Sequence, residues 1–159
     1  MDSLQPVDNP QPMNSRRLSH TLALLGLLLL SPLSAAESEI FGDFEVHYSV
    51  VNSTFIDPAI ASRYQIVRGK NRAFINLAVR RRLPDGSDTA ASAHLEGRTW
   101  DLFQNQFLEF REIRDGRAIY YIADFEFSDG ELRFFNITLL PEGAKRSRQL
   151  KFQHKVYVD

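Results

Sequence analysis

The feature that most constrains the fold is a two-residue alternation of apolar and polar side chains along short segments. Apolar residues occupy every second position over residues 44–50 and 75–79, and again over 150–158 with His154 in the apolar row. A period of two is typical of a half-buried strand, because successive side chains of a strand point to opposite faces. The sequence therefore predicts strands in these segments, with a weaker strand over 90–98.

Turn signals separate these segments at intervals of about ten residues, which is typical of small all-β domains. Asp115-Gly116 lies between the β-rich runs 107–113 and 118–127 and predicts a hairpin, and a further strand is expected over 132–140. About seven such strands favour an all-β, antiparallel sandwich of immunoglobulin-like architecture, and a closed barrel is the alternative.

One short helix is expected near residues 58–64. Asp57 is a good N-cap, and Pro58 suits the first helical position because its fixed φ matches the helix. No repeat, linker or low-complexity tract interrupts residues 37–159. The sequence thus predicts a single soluble β domain over 37–159.

Residues 1–36 have the pattern of an export signal. Arg16 and Arg17 precede a leucine-rich run, which is followed by a proline break and by small residues suited to cleavage after Ala36. The run is about half of the roughly 20 apolar residues that a membrane span needs. We therefore predict a cleavable signal peptide, a periplasmic protein and no transmembrane anchor in the mature form. Met13 is an alternative start, because initiation there gives a more regular signal.

Composition excludes several classes of function. A net charge of −1 argues against nucleic acid as a partner, and an apolar content of 43% argues against a disordered chain. The chain has no Cys, and both methionines, Met1 and Met13, precede the predicted cleavage point. The exported domain therefore lacks the residues for disulfides, thiol catalysis or thioether copper sites. No cofactor is predicted.

Catalytic and metal-binding patterns are absent from the sequence. His47, His94 and His154 stand tens of residues apart, without the short spacings that most metal sites show. No serine has a G-x-S-x-G setting. The sequence predicts no enzyme, no catalytic residue and no metal ligand. The alternative is a metal-dependent or hydrolytic enzyme whose site is assembled from these histidines and scattered carboxylates.

The charged residues are distributed unevenly along the chain. Residues 59–84 contain six Arg, one Lys and no acid, whereas 101–131 are rich in acids. Asp124 and Glu126 stand two apart on a predicted strand, so both point to one face, where pairing with Arg across strands is expected. Two interpretations remain open: a basic surface for an anionic envelope partner, or mutual neutralisation across paired strands.

Five segments carry a resemblance to a known family: Phe41–Tyr48 (FGDFEVHY), Asn52–Phe55 (NSTF), Ile66–Ala73 (IVRGKNRA), Ala118–Ile122 (AIYYI) and Phe152–Asp159 (FQHKVYVD). On these segments the chain resembles domain-of-unknown-function family 4426, exported proteins of Gram-negative bacteria. The resemblance covers essentially the whole of residues 37–159. It implies a periplasmic β-rich domain with no assigned activity, ligand or catalytic residue.

The loops on either side of the short helix are the candidate functional region. If both lie at one end of a sandwich, they occupy the position where such domains commonly carry binding loops. The predicted binding surface consists of Asn52, Ser53, Arg68, Lys70, Asn71 and Arg72. We expect a binding or accessory module that engages an envelope protein by edge-strand addition, or an anionic envelope component through the basic loops.

Overall fold

The computed structural model describes residues 37–159, which belong to a single compact unit. The export-signal prediction and the alternative start at Met13 lie outside the described residues. The strands are β1 (Glu37–Phe41), β2 (Phe44–Asn52), β3 (Arg72–Arg82), β4 (Asp88–Ala90), β5 (Ala93–Trp100), β6 (Asn105–Leu108), β7 (Arg111–Asp115), β8 (Ala118–Glu126), β9 (Leu132–Pro141) and β10 (Arg148–Lys155). A 3-10 turn (Ser53–Phe55) and helix α1 (Pro58–Arg63) connect β2 to β3. Neither is long or apolar enough to cross a membrane, and no other helix occurs in 37–159.

The strands form two antiparallel sheets that pack face to face. The six-stranded sheet has the order β1-β2-β3-β8-β7, with β4 paired to β3, and the four-stranded sheet has the order β10-β9-β5-β6. The predicted all-β sandwich is confirmed, and the barrel alternative is wrong because the sheets stay separate. The short helix is confirmed as well: the Asp57 carboxylate accepts the N–H groups of Ala59 at 2.8 Å and Ile60 at 3.4 Å.

The described residues contain more strands than the sequence predicts. The run predicted as one strand over 107–113 divides into β6 and β7, because residues 109–110 carry the chain from one sheet to the other. The weak strand over 90–98 becomes β4 and β5, one in each sheet. The last strand ends earlier than predicted, since Val156 leaves the ladder and donates its N–H to Glu131 O at 2.9 Å.

The core lies between the sheets and follows the predicted alternation. Inward-facing residues of β2, β3 and β9, such as Val46, Leu77 and Ile137, are fully buried. Phe135 stacks on Phe152 with ring centroids 4.6 Å apart and an interplanar angle of 5°. Full burial of a side chain of this size contributes about 1.5–3 kcal/mol, so the alternating residues account for the sandwich.

The two sheets differ in what covers their outer faces. On the six-stranded sheet, Phe74 and Ile122 point away from the main core and are nevertheless buried. The segment around α1 supplies buried Ile56, Ala61 and Ile66, which also lie outside the main core cluster. The outer face of the four-stranded sheet is exposed instead. The structure thus leaves one sheet face open at its centre.

Candidate functional site

The predicted binding loops are fastened to each other by hydrogen bonds. The Ser53 side chain is fully buried; its hydroxyl donates to Gly69 O at 3.1 Å and accepts the Gly69 N–H at 2.9 Å. Arg68 donates to the carbonyl oxygens of Ser53 at 3.4 Å and Thr54 at 2.9 Å. These contacts join the 3-10 turn to the loop that enters β3, so the two loops do lie together.

The remaining predicted surface residues bind other parts of the same end of the sandwich. The Asn52 amide donates to Tyr157 O at 2.7 Å, and the Asn71 amide donates to Phe127 O at 3.2 Å. Arg72 forms an ion pair with Glu126, whereas no described residue pairs with Lys70. Most polar groups of the predicted surface therefore hold the fold together, and ligand binding by this surface stays a prediction.

The three histidines of residues 37–159 lie on three different faces. His47 is on the outer face of the six-stranded sheet, with Nε2 3.6 Å from Glu45 Oε1, and His94 is on the outer face of the four-stranded sheet, with Nε2 3.2 Å from Glu96 Oε1. His154 faces the interior, where burial lowers its pKa despite the opposing charge of Glu37. Nowhere in 37–159 do three His, Cys, Asp or Glu side chains come together in a way that could hold a metal ion.

Two arginines of the basic stretch 59–84, and Arg111 of the acid-rich stretch, form ion pairs within the fold. Arg111 pairs with Asp124 at 2.7 Å and Arg72 pairs with Glu126, which confirms the expected pairing across strands. Arg80 pairs with Asp88. The contacts of Arg72 and Arg80 remove two charges that the sequence offered for a basic surface.

The exposed face of the four-stranded sheet carries a groove that the sequence analysis did not identify. The groove has a volume of about 510 Å³. Its residues form two rows across the sheet: Arg98, Asn136 and Lys151 are neighbours in one row, and Trp100, Phe134 and Gln153 are neighbours in the next. Strands β5, β9 and β10 therefore place these six side chains on one surface by register alone.

Aromatic rings and cations define the chemistry of this groove. Trp100 and Phe134 stack with ring centroids 5.8 Å apart and an interplanar angle of 20°. The Arg98 guanidinium lies over the Trp100 ring at 5.3 Å. No acidic residue lines this groove. Such a surface suits a ligand with a flat apolar part and a negative charge.

The groove contains one polar atom that the fold leaves unpaired. Oδ1 of Asn136 is buried and has no hydrogen-bond partner among the described residues. A buried acceptor without a partner costs about 1–3 kcal/mol. A ligand that donates a hydrogen bond at this position recovers part of that cost.

A second, smaller cavity of about 280 Å³ continues from the groove to the tip of the β5–β6 hairpin and shares Arg98 and Trp100 with it. Leu102 and Phe103 form this tip and are 88% and 91% exposed. Asp101 holds the tip by accepting the N–H groups of Phe103 at 2.6 Å and Gln104 at 2.5 Å. Burial of Asp101 opposes its ionisation, but these N–H groups and Arg133 lower its pKa.

The groove could have been predicted from aromatic residues at outward-facing strand positions, where polar residues are expected. Trp100 and Phe134 each occupy an outward position of their strands, where the alternation predicts polar side chains. Both side chains are half-buried, and adjacent large apolar side chains on an outer face mark interaction sites more often than isolated ones do. Trp100 is also the only tryptophan of the chain.

The fold and the groove together define a two-sheet antiparallel sandwich with one open, aromatic face. Comparison with known families then identifies it: the model of the DUF4426 family, a domain of unknown function, matches residues 38–159, and the chain belongs to this family. Comparison with curated proteins finds no match.

A solved structure of the same family agrees with this assignment, and two further solved structures share the fold. A DUF4426 family protein of Pseudomonas aeruginosa, PA0388, is 31% identical, with a TM-score of 0.66 over 78% of this chain and 96% of that chain. FetP of uropathogenic Escherichia coli has the same fold at 10% identity, with a TM-score of 0.54 over 79% of this chain and 95% of that chain. A copper-bound variant of FetP gives a TM-score of 0.53 at 9% identity over 79% of this chain and 92% of that chain.

Proposed function

We propose that this protein is a binding module of the bacterial envelope that takes an anionic ligand on the outer face of its four-stranded sheet. The observation that carries the proposal is the stacked pair Trp100 and Phe134 beside two cations, Arg98 and Lys151, with no acid in the groove. Ligand sites are typically apolar surfaces with a few placed polar groups, and this groove has that composition.

The chemistry favours an envelope component that combines ring-shaped and acidic parts. Sugar rings present flat C–H faces that stack on aromatic side chains, and carboxylates bind Arg through charge-assisted hydrogen bonds. Peptidoglycan fragments carry both groups. The export-signal pattern of residues 1–36 and the fold shared with FetP, which was recombinantly expressed in the periplasm, support a periplasmic location.

Copper, which a FetP variant binds, requires a separate comparison with the residues of this chain. The His pairs in 37–159 involve one histidine and one glutamate each, at 3.6 Å for His47 and 3.2 Å for His94. No third ligand joins either pair among the described residues, and the chain has no Cys. The donor set does not fit a copper centre, so metal chemistry is not part of the proposal.

Fluorescence of the single tryptophan provides the test. Titration with soluble peptidoglycan fragments should change the emission of Trp100, because the ligand covers its ring. Arg98→Ala should weaken binding about tenfold or more, since loss of a charge-assisted hydrogen bond costs about 1.5–3 kcal/mol. An unchanged spectrum at millimolar fragment would refute the proposed ligand.

A matched control separates the groove from the rest of the surface. Arg117→Ala removes an exposed arginine of the β7–β8 turn, outside the groove. It should leave the affinity unchanged. If Arg98→Ala and Arg117→Ala weaken binding equally, general charge attraction explains the binding and the groove does not.

A further inference from the structure

The strands at the ends of the two sheet paths differ in charge. The sheet paths end at β1 and β7 on one sheet and at β10 and β6 on the other. Strand β1 carries Glu37 and Glu39, β7 reads REIRD, and β10 carries Lys151 and Lys155. Charged residues on edge strands oppose pairing with another chain. Strand β6 reads NQFL and has no charged residue.

Strand β6 is also held in a fixed position. The Gln106 amide faces the other sheet, where its Nε2 donates to Glu126 O at 2.8 Å and its Oε1 accepts the Glu126 N–H at 3.0 Å. Leu108 is buried in the core. Phe107, between them, points outward and is 81% exposed. The strand therefore presents an ordered, uncharged edge with a phenyl ring beside it.

We propose that β6 pairs antiparallel with β6 of a second copy of this chain about a two-fold axis. With this axis perpendicular to the four-stranded sheet, the outer faces of the two copies' sheets lie on the same side of the dimer. With Phe107 on the axis, the two Phe107 rings become direct cross-strand neighbours. Aromatic cross-strand pairs each contribute roughly 0.2–1 kcal/mol, and backbone hydrogen bonds along the edge add to this.

Neighbouring residues are arranged to support this pairing. Arg98 lies opposite Phe107 in the β5–β6 register. The row across the joined sheet then reads Arg98, Phe107, Phe107 and Arg98, with a cation on each side of the two rings. A third shallow cavity of about 500 Å³, lined by Phe107, Arg98 and Asn136 among others, lies between this edge and the groove.

A second copy fits this edge better than an unrelated strand does. A two-fold contact brings the same patch together from both sides, so apolar Phe107 meets apolar Phe107. The net charge of −1 for the whole chain adds little repulsion between copies. The contact involves a four-residue strand, so we expect a dimer with a micromolar dissociation constant, typical of small interfaces.

Sedimentation of the protein purified after export, over a concentration series, tests the proposal. The wild-type protein should shift from monomer to dimer between about 1 and 200 µM. Phe107→Lys places two like charges across the axis and should raise the dissociation constant at least tenfold. Ile40→Lys, at an exposed position of β1, is the matched control and should dimerise like the wild type. Circular dichroism checks that both variants fold.

Crosslinking locates the contact, because the chain contains no cysteine. Under mild oxidation, Phe107→Cys should form a disulfide-linked dimer, and Ile40→Cys should not. A wild-type protein that stays monomeric at about 200 µM overturns the proposal. A dimer that persists in Phe107→Lys also overturns the proposal, because such a dimer must form through a surface other than β6.

Discussion

Arg133 is fully buried in the sandwich, although it is charged. Its Nη1 lies 2.5 Å from Glu131 Oε1 and 3.6 Å from Asp101 Oδ2, and its Nε donates to Thr99 Oγ1 at 3.2 Å. The guanidinium also lies 5.7 Å from the Phe125 ring centroid. This cluster joins β9 to the β5–β6 hairpin and therefore supports the end of the proposed groove.

Arg133→Met tests how much this cluster stabilises the fold. Methionine fills most of the same space but leaves the carboxylates of Glu131 and Asp101, whose side chains are 10% and 11% exposed, without their cation. Removal of one partner from a buried ion pair typically costs about 3–5 kcal/mol. We expect the free energy of unfolding to fall by about that amount. With a urea m-value of about 1–3 kcal/mol/M, the midpoint falls by about 1–5 M.

Urea unfolding followed by Trp100 fluorescence measures this change, and two further variants make it specific. Arg117→Met removes an exposed arginine and should change stability by less than about 0.5 kcal/mol. The double variant Arg133→Met/Glu131→Gln also removes the unpaired charge of Glu131 and should recover part of the lost free energy of unfolding. A loss below about 1 kcal/mol for Arg133→Met, or no recovery in the double variant, would refute the reasoning.

Three further predictions concern single side chains. Ser53→Ala leaves both backbone groups of Gly69 without their partner and should cost about 1–3 kcal/mol in urea unfolding; a loss no larger than that of Ser49→Ala would contradict this. Gly97→Ala puts a methyl group 3.0 Å from Ile137 Cγ1 and should lower stability by about 1–3 kcal/mol, whereas an unchanged melting temperature would show that the core yields. Burial lowers the pKa of His154, so the unfolded state binds more protons and stability should fall as the pH drops below about 6.5. His154→Gln should flatten this dependence, and an equally steep profile in the variant would assign it to other groups.

The sandwich could be predicted from the sequence because the patterns that specify its strands and turns involve residues close together in the chain. Alternation assigns the inward residues of β2, β3 and β9, and the Asp115-Gly116 turn assigns the β7–β8 hairpin. The edge strands were harder to predict. Strand β1 is polar because one flank faces solvent, and β6 is too short for a period of two to be distinguished.

The residues of the groove are brought together by the register of strand pairing, which cannot be read from the sequence. Arg98, Asn136 and Lys151 are far apart in the chain and become neighbours only through the pairing of β5, β9 and β10. The loop surface predicted instead was found from proximity in sequence. Its Ser53 and Arg68 make hydrogen bonds within the chain, a use that local composition cannot distinguish from ligand binding.

Chemical-shift mapping of the backbone amides during titration with soluble peptidoglycan fragments tests the proposed binding face most directly. The account predicts that the largest shifts cluster at Arg98, Trp100, Asn136 and Lys151, on the outer face of the four-stranded sheet. Shifts concentrated instead at the loop residues near Lys70, or no shifts at millimolar fragment, would contradict it.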